Sequence, residues 1–409
     1  MSTIANSEID EAIDIEDEAF HRKFLDENAD GLLDISHEIH ANPEIRFEET
    51  VASALLVSKL EEAGFATQLG VGGLPTAFLA EYGSASDGPT IAFFLEYDAL
   101  EEIGHACGHN VIATIGLGAA LTVQAWMRNH GRAVGRLLVV GSPGEEGGGG
   151  KQYLIKAGCL DGIDAALMMH PSGENLSCMT TLGRVALDFE FTGKAAHAAV
   201  TPHHGVNALD AAVLTLNAIG LLRQQLPSDV RVHAIVLEGG EAPNIIPEKS
   251  VLRAYIRAAD TRALVDDLQP RVENCARGAA IATGTQVSII QQSPTYAALQ
   301  PNAVLGDLVE RNFARVGRRT EPPRTEVFPG STDMGNVSQI IPSIHPNIEF
   351  VPGLGMHTRE AAEYAGAPEG DKAVLDGSLI LAMTASQLFS NHRLVGQVKA
   401  AFSEGVRVD

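Results

Sequence analysis

Between residues 76 and 170, short apolar strands alternate with helical stretches: TAFLAEY, TIAFFLEY, a helix from about Asn110 to Arg128, RLLVVGS, a short helix near Lys151, and AALMMH. Parallel strands need long crossover connections, so this alternation demands a mostly parallel sheet covered by helices. The expected fold class is α/β. In such sheets, functional side chains collect beyond the carboxyl ends of the strands.

Near residue 181 the rhythm changes to RVALDFEF, a helix over Val206 to Leu226, VHAIVLE, SVLRAYIRA, a helix over Thr261 to Ala280, and QVSIIQQ. Two helices and four strands in about 115 residues make an α+β unit of their own. After about residue 296 the first rhythm resumes with a helix near 301–315, the strand NIEFVP and a helix near 370–389. A chain of 409 residues is too long for one core,. We therefore expect an outer domain over 1–180 and 297–409, interrupted by a smaller domain over 181–296. Upstream, residues 8–40 carry apolar side chains at helical spacing, and a second helix over Thr50 to Ala63 stops at Gly64,.

Composition narrows the partners. A formal charge of −23, from 29 basic and 52 acidic residues, opposes binding to a phosphate backbone and excludes nucleic acid,. The four cysteines show no framework spacing, which suits free thiols in a reducing compartment,. The N-terminus is acidic, with no secretory apolar stretch, and no run of 18 apolar residues occurs,. No membrane partner and a cytoplasmic location are the expectations.

Each strand of the outer domain runs into a metal-ligating residue type. TIAFFLEYDAL leads to GHACGHN, RLLVVGS to PGEEGGGG, AALMMH ends on His170, and NIEFVP runs into GLGMHTRE with His357. Thiolate, imidazoles and carboxylates converging at one sheet edge suit a divalent ion, the carboxylates tilting toward manganese and the thiolate toward zinc. Cys107 and His109 flank Gly108, so an irregular turn can point both side chains the same way. Cys107 alone would read as a buried inert thiol; Asp98, His105 and His109 around it reverse that preference. Adjacent Glu145 and Glu146 are costly together unless a cation compensates them, with one coordinating and the other acting as general base. His170 and His357 are each as well explained by strand-end hydrogen bonding; their weight is joint. In the inserted unit, His197 and Asn244 read singly as turn residues, and Arg257 as a surface ion-pair residue.

The segments HANPE, EYDALEEIGHACGHN, GEEGGGG, MMHP, GKAAHAA, NALDA, APNIIP, STDMGNVS and GMHT, in this order from about residue 37 to 358, resemble the M20 family of metal-dependent amidohydrolases and peptidases, in its aminoacylase and aminobenzoyl-glutamate-hydrolase-like branch. The resemblance implies a zinc-peptidase-like catalytic domain interrupted by a ferredoxin-like lid that dimerises. It implies that Cys107, His109, Glu146, His170 and His357 hold two divalent metal ions per subunit, manganese favoured and zinc the other candidate. Glu145 matches the general base, and Asp98 the acid that orients a ligand histidine. His197 matches the lid histidine that stabilises the oxyanion in the partner subunit's site, while Asn244 and Arg257 match substrate-contacting lid residues.

Two departures bear on substrate. Glu101 stands where the branch commonly has proline, and His203 and His204 where a tryptophan is commoner. The expected reaction is cleavage of an amide C–N bond in a small carboxylate-bearing substrate, an N-acyl or aminobenzoyl amino acid or a dipeptide. The alternatives are hydrolytic deamination of a substituted aminobenzoate on the same centre, a cysteine hydrolase using Cys107 with His105 or His109 as base, and a non-catalytic metal-binding protein. The cysteine reading leaves Glu145 and Glu146 without a role.

Overall fold

The computed structural model describes residues 15–130, 134–322 and 327–405. The chain divides into two compact units, one of 1–180, 300–326 and 336–409, the other of 181–299 and 327–335. Residues 8–14 of the first expected helix lie outside the described residues.

The first unit is built on a six-stranded sheet of order β1-β2-β4-β3-β5-β11, from Ala66–Leu69, Phe78–Gly83, Arg136–Gly141, Thr90–Leu95, Ala165–Leu167 and Ser343–Ile344. β3, β4, β5 and β11 run parallel, and β2 runs against its neighbours. All six residues of β3 are buried, which is why TIAFFL shows no polar alternation,. Around the sheet pack α1 (Ile15–Ala41), α2 (Thr50–Glu62), α3 (His109–His130), α4 (Gly150–Lys156), α7 (Ala303–Arg315), α8 (Arg359–Ala365), α9 (Pro368–Ser390) and α10 (His392–Gly405), with α5 (Ala208–Leu222) and α6 (Gln269–Thr283) in the second unit.

Helices α3 and α9 are long and apolar enough to cross a membrane by composition, yet most residues of each are buried inside the protein. A helix apolar on every side belongs in a core, and each large side chain so buried contributes about 1.5–3 kcal/mol. Gly118 makes the close crossing of α3 and α9 feasible, since a Cβ there would lie 2.4 Å from Ser378 Oγ. Ser378 Oγ instead donates to the Ile115 carbonyl at 3.2 Å. The single tryptophan, Trp126, is buried on α3 and donates its indole N–H to Asp17 Oδ1 at 2.7 Å.

The second unit is a four-stranded antiparallel sheet of order β10-β7-β9-β8, from Gln286–Gln291, Gly183–Thr192, Lys249–Ala258 and Arg231–Glu238. Helices α5 (Ala208–Leu222) and α6 (Gln269–Thr283) complete a βαββαβ chain order around its own apolar core,.

Three expectations need correction. Residues 327–335 belong with the second unit, because Thr181 bridges Phe328 and Leu182 N–H donates to the Gly330 carbonyl. Residues 297–299 join them, tied by Leu299 N–H to Thr181 Oγ1. The strand expected at NIEFVP shortens to Asn347–Glu349 (β12) and leaves the main sheet, pairing instead with His170–Ser172 (β6). The main sheet takes its edge from the two-residue β11, and the helix expected over Val206–Leu226 gives way after Leu222 to a 3-10 turn over Arg223–Gln225.

Candidate metal centre

Beyond β3 the chain continues through Glu96, Tyr97 and Asp98, all buried. Asp98 Oδ1 lies 3.1 Å from His109 Nδ1, and the same carboxylate accepts the amide protons of Glu145 at 3.1 Å and Glu146 at 2.8 Å. Donating Nδ1–H to Asp98 leaves His109 Nε2 as the nitrogen with the free lone pair. The approach to His109 turns through Gly104 and Gly108, both at positive φ. At Gly108 a Cβ would also collide with Pro171 Cγ at 2.5 Å, so this turn excludes any side chain,. His105 points elsewhere, its Nε2 3.1 Å from the Ile39 carbonyl.

Glu145 and Glu146 follow β4, in a turn flanked by Gly144 and Gly147 at positive φ. Glu146 Oε1 lies 3.2 Å from His357 Nε2 and 4.0 Å from His109 Nε2. Cys107 Sγ is 3.4 Å from His170 Nε2 and 3.2 Å from His357 Nε2. His170 donates Nδ1–H to the Pro171 carbonyl at 2.7 Å, so its Nε2 too faces the cluster with a lone pair. His357 adopts a left-handed φ of 63°, held by its N–H bond to the Ala106 carbonyl at 2.9 Å. A histidine there costs about 1–2 kcal/mol, consistent with strain kept at a functional position.

Two triplets of ligand atoms share the Cys107 thiol, Cys107–His109–His170 and Cys107–Glu146–His357, with the atoms of each within 4.8 Å of one another. Donors about 2.1 Å from one ion at tetrahedral angles are themselves about 3.4 Å apart, close to the separations at Cys107. Fully buried His109 Nε2 has no hydrogen-bond partner, and Glu146 Oε1 meets only the His357 imidazole at 3.2 Å. Buried polar atoms are rarely left as His109 Nε2 is, and a cation satisfies it. The electrostatics agree. Burial opposes charge on His109, but Asp98 and then Cys107 outweigh it and push its pKa well above the ordinary value. Burial would raise Asp98, yet the neighbouring His109 holds it below the ordinary carboxylate range. Burial, then Glu146, drives the Cys107 thiol well up, so without a cation it is a poor nucleophile,. The residues present fit divalent cations.

The second unit carries the remaining expected residues. His197 bridges Ile245 and accepts at Nδ1 from Ala199 and Val200 N–H at 3.2 and 3.3 Å, beside Asn244, whose carbonyl accepts from Ala198 N–H at 3.0 Å. His203 and His204 are exposed in a 3-10 turn, their rings 4.2 Å apart. Arg257 sits on β9 opposite Arg184 and donates to Ser331 Oγ at 2.7 Å; burial, then Arg184, lowers its pKa. Glu101, in the first unit, is exposed, with Oε1 3.8 Å from Arg46 Nη2, in a turn closed by reciprocal bonds between Leu100 and Gly104.

The residues that the sequence did not single out lie just behind the cluster. Glu96 is ion-paired with buried Lys151, His345 stacks on His170 with ring centroids 5.5 Å apart, and Glu49 Oε1 accepts from Gly144 N–H at 2.8 Å. Their partners are distant in sequence; only Glu96, two residues before Asp98, offered a signal by standing inside the EYDAL motif.

Residues 88–385 match the sequence profile of the peptidase family M20/M25/M40. The chain is 38% identical over 395 residues to the Xaa-Arg dipeptidase of Mus musculus, covering 94% of this chain and 89% of that protein. It is 37% identical over 273 residues to one of the subunits of the p-aminobenzoyl-glutamate hydrolase of Escherichia coli, covering 62% of this chain and 56% of that one. Its fold is similar to that of the Bacillus subtilis YXEP protein, a dinuclear metal binding peptidase, with a TM-score of 0.58 and 20% identity over 90% of this chain and 99% of that one. The chain belongs to the peptidase family M20/M25/M40 and is a hydrolase of amide C–N bonds.

Proposed function

We propose that the protein is a dinuclear metal-dependent amidohydrolase that cleaves dipeptides or aminobenzoyl amino acids carrying a free carboxylate. The observation that carries this reading is the pair of ligand triplets sharing Cys107, with His109 Nε2 buried and unsatisfied. Cys107, His109 and His170 would hold one cation, and Cys107, Glu146 and His357 the other. Such cations supply Lewis acidity toward the scissile carbonyl and toward a water.

Glu145, buried beside the cluster, takes the proton from the attacking water and returns it to the departing amine nitrogen, acting as base and then acid,. Asp98 fixes the tautomer of His109 and, through the amides of Glu145 and Glu146, the height of both carboxylates,. His197 donates to the oxyanion in a second subunit's site. Arg257 receives the substrate carboxylate; among the described residues it makes no ion pair, and Ser331 only steadies it,. Asn244, His203 and His204 contact the substrate and select its side chain. We read the second unit as a ferredoxin-like lid that dimerises. Its β8 is an edge strand with Ile235, Val236 and Leu237 exposed, the type of edge a second chain covers,. The carboxylates favour manganese over zinc, and the four unpaired cysteines suit the cytoplasm,.

The test strips the protein with chelator, reloads it with manganese or zinc, and offers dipeptides, N-acyl amino acids, aminobenzoyl-glutamate and substituted aminobenzoates while reading amine and ammonia separately. The expected product is a free amine plus an acid, from the metal-loaded protein only. Activity that survives complete stripping overturns the metal reading, and ammonia release from an aminobenzoate alone overturns the amide reading.

A further inference from the structure

Besides Glu145, the five ligands of the proposed dinuclear centre leave a second buried carboxylate facing the same space. Glu96 is 1% exposed, and its Oε1 is bound by the ammonium of Lys151 at 2.5 Å. Its Oε2 is fully buried without a hydrogen-bond partner and lies 3.5 Å from His109 Nε2, itself unsatisfied. Glu96, His109 and Glu145 also form a triplet of ligand atoms within 4.8 Å of one another.

A purely structural ion pair does not account for this. A buried carboxylate paired with lysine recovers its desolvation cost only when its remaining lone pairs are also satisfied. Here one oxygen is satisfied and the other is turned toward the imidazole nitrogen that a cation would occupy. Two orphaned acceptors, one nitrogen and one oxygen, face each other at about the spacing of two donors around a single ion. Glu96 also arrives with its own counter-ion, so it adds an oxygen donor while Lys151 cancels its charge. Lys151 on α4 clamps Oε1 and thereby aims Oε2, as second partners orient first ligands elsewhere,.

From this geometry we infer that Glu96 is a further ligand of the metal centre, binding through Oε2 the cation that His109 Nε2 holds, with Lys151 as its positioning residue. The inference rests on the dinuclear reading. It adds a hard oxygen to the softer triplet of one thiolate and two imidazoles, which moves that position from zinc toward manganese.

The experiment measures manganese and zinc binding to the metal-stripped full chain by competition with a chromophoric chelator, with metal content after desalting, for wild type and Glu96→Gln. The expected result is two cations bound by wild type, with one of them weakened roughly ten- to hundredfold in Glu96→Gln and the other unchanged. Manganese should lose more affinity than zinc. Equal weakening of both positions, or none, overturns the inference. Wild type that binds no cation overturns the dinuclear reading itself, a distinguishable failure. If Glu96→Gln does not fold, the manganese-loaded wild-type crystal decides: anomalous density about 2.0–2.2 Å from Glu96 Oε2 supports ligation, and density beyond that bonding distance overturns it.

Discussion

Asp98 and His109 are joined by a carboxylate–imidazole contact of 3.1 Å, and the same carboxylate anchors the backbone amides of Glu145 and Glu146. One buried side chain therefore sets the imidazole tautomer on α3 and the position of both carboxylates after β4. Asp98→Asn keeps the volume but loses an acceptor and the charge that steadies His109. We expect a ten- to hundredfold loss, on the order found for such orienting partners, in affinity for one cation, read by calorimetric metal titration.

Glu145→Gln separates chemistry from metal binding. The amide keeps the size of the side chain but cannot take a proton. With the proposed general base gone, kcat should fall by roughly 10²–10⁴, while metal content after desalting and KM stay near wild type. Full activity in a metal-loaded Glu145→Gln protein would remove Glu145 from the mechanism.

Arg257→Ala tests the assigned carboxylate contact. Losing a hydrogen bond to a charged group costs about 1.5–3 kcal/mol, so KM for a substrate with a free carboxylate should rise roughly ten- to hundredfold. The matching amidated substrate should show no change between the two proteins. Equal losses on both substrates would mean that Arg257 acts on the packing of the second unit rather than on the ligand.

Glu49 makes stability depend on pH. Burial, then the negative charge of Asp98, raises its pKa from 4.5 to about 7, despite bonds from Thr76 and the backbone. The native protein therefore keeps a proton that the unfolded chain releases. This contribution is fully present below about pH 4.5 and is lost as pH rises toward 7,. The slope is at most about 1.4 kcal/mol per pH unit. Urea unfolding of metal-stripped protein across this window should show it in wild type and not in Glu49→Gln.

Much of the candidate site was legible because it is written in strand ends and turns. Glycines at 104, 108, 144 and 147 all adopt positive φ around the cysteine, histidine and carboxylate positions, the use that their placement in the sequence suggests,. Less of the periphery was legible. β11 spans two residues and has no pattern to recognise, and the Phe328 and Gly330 contacts that draw residues 327–335 into the second unit depend on partners at Thr181 and Leu182.

The sequence by itself determined the α/β class, the interruption near residue 181 and the order in which potential ligands leave successive strands, because side-chain period and turn chemistry are local. Only the tertiary structure decided which atoms meet. Glu96 and Lys151 are 55 positions apart, and Cys107 and His357 are 250 apart. Whether such pairs touch depends on sheet register, on the turn through Gly108 and on the left-handed backbone of His357. These are properties of packed elements, since each side chain's reach is only a few ångströms while the chain between them can take many paths.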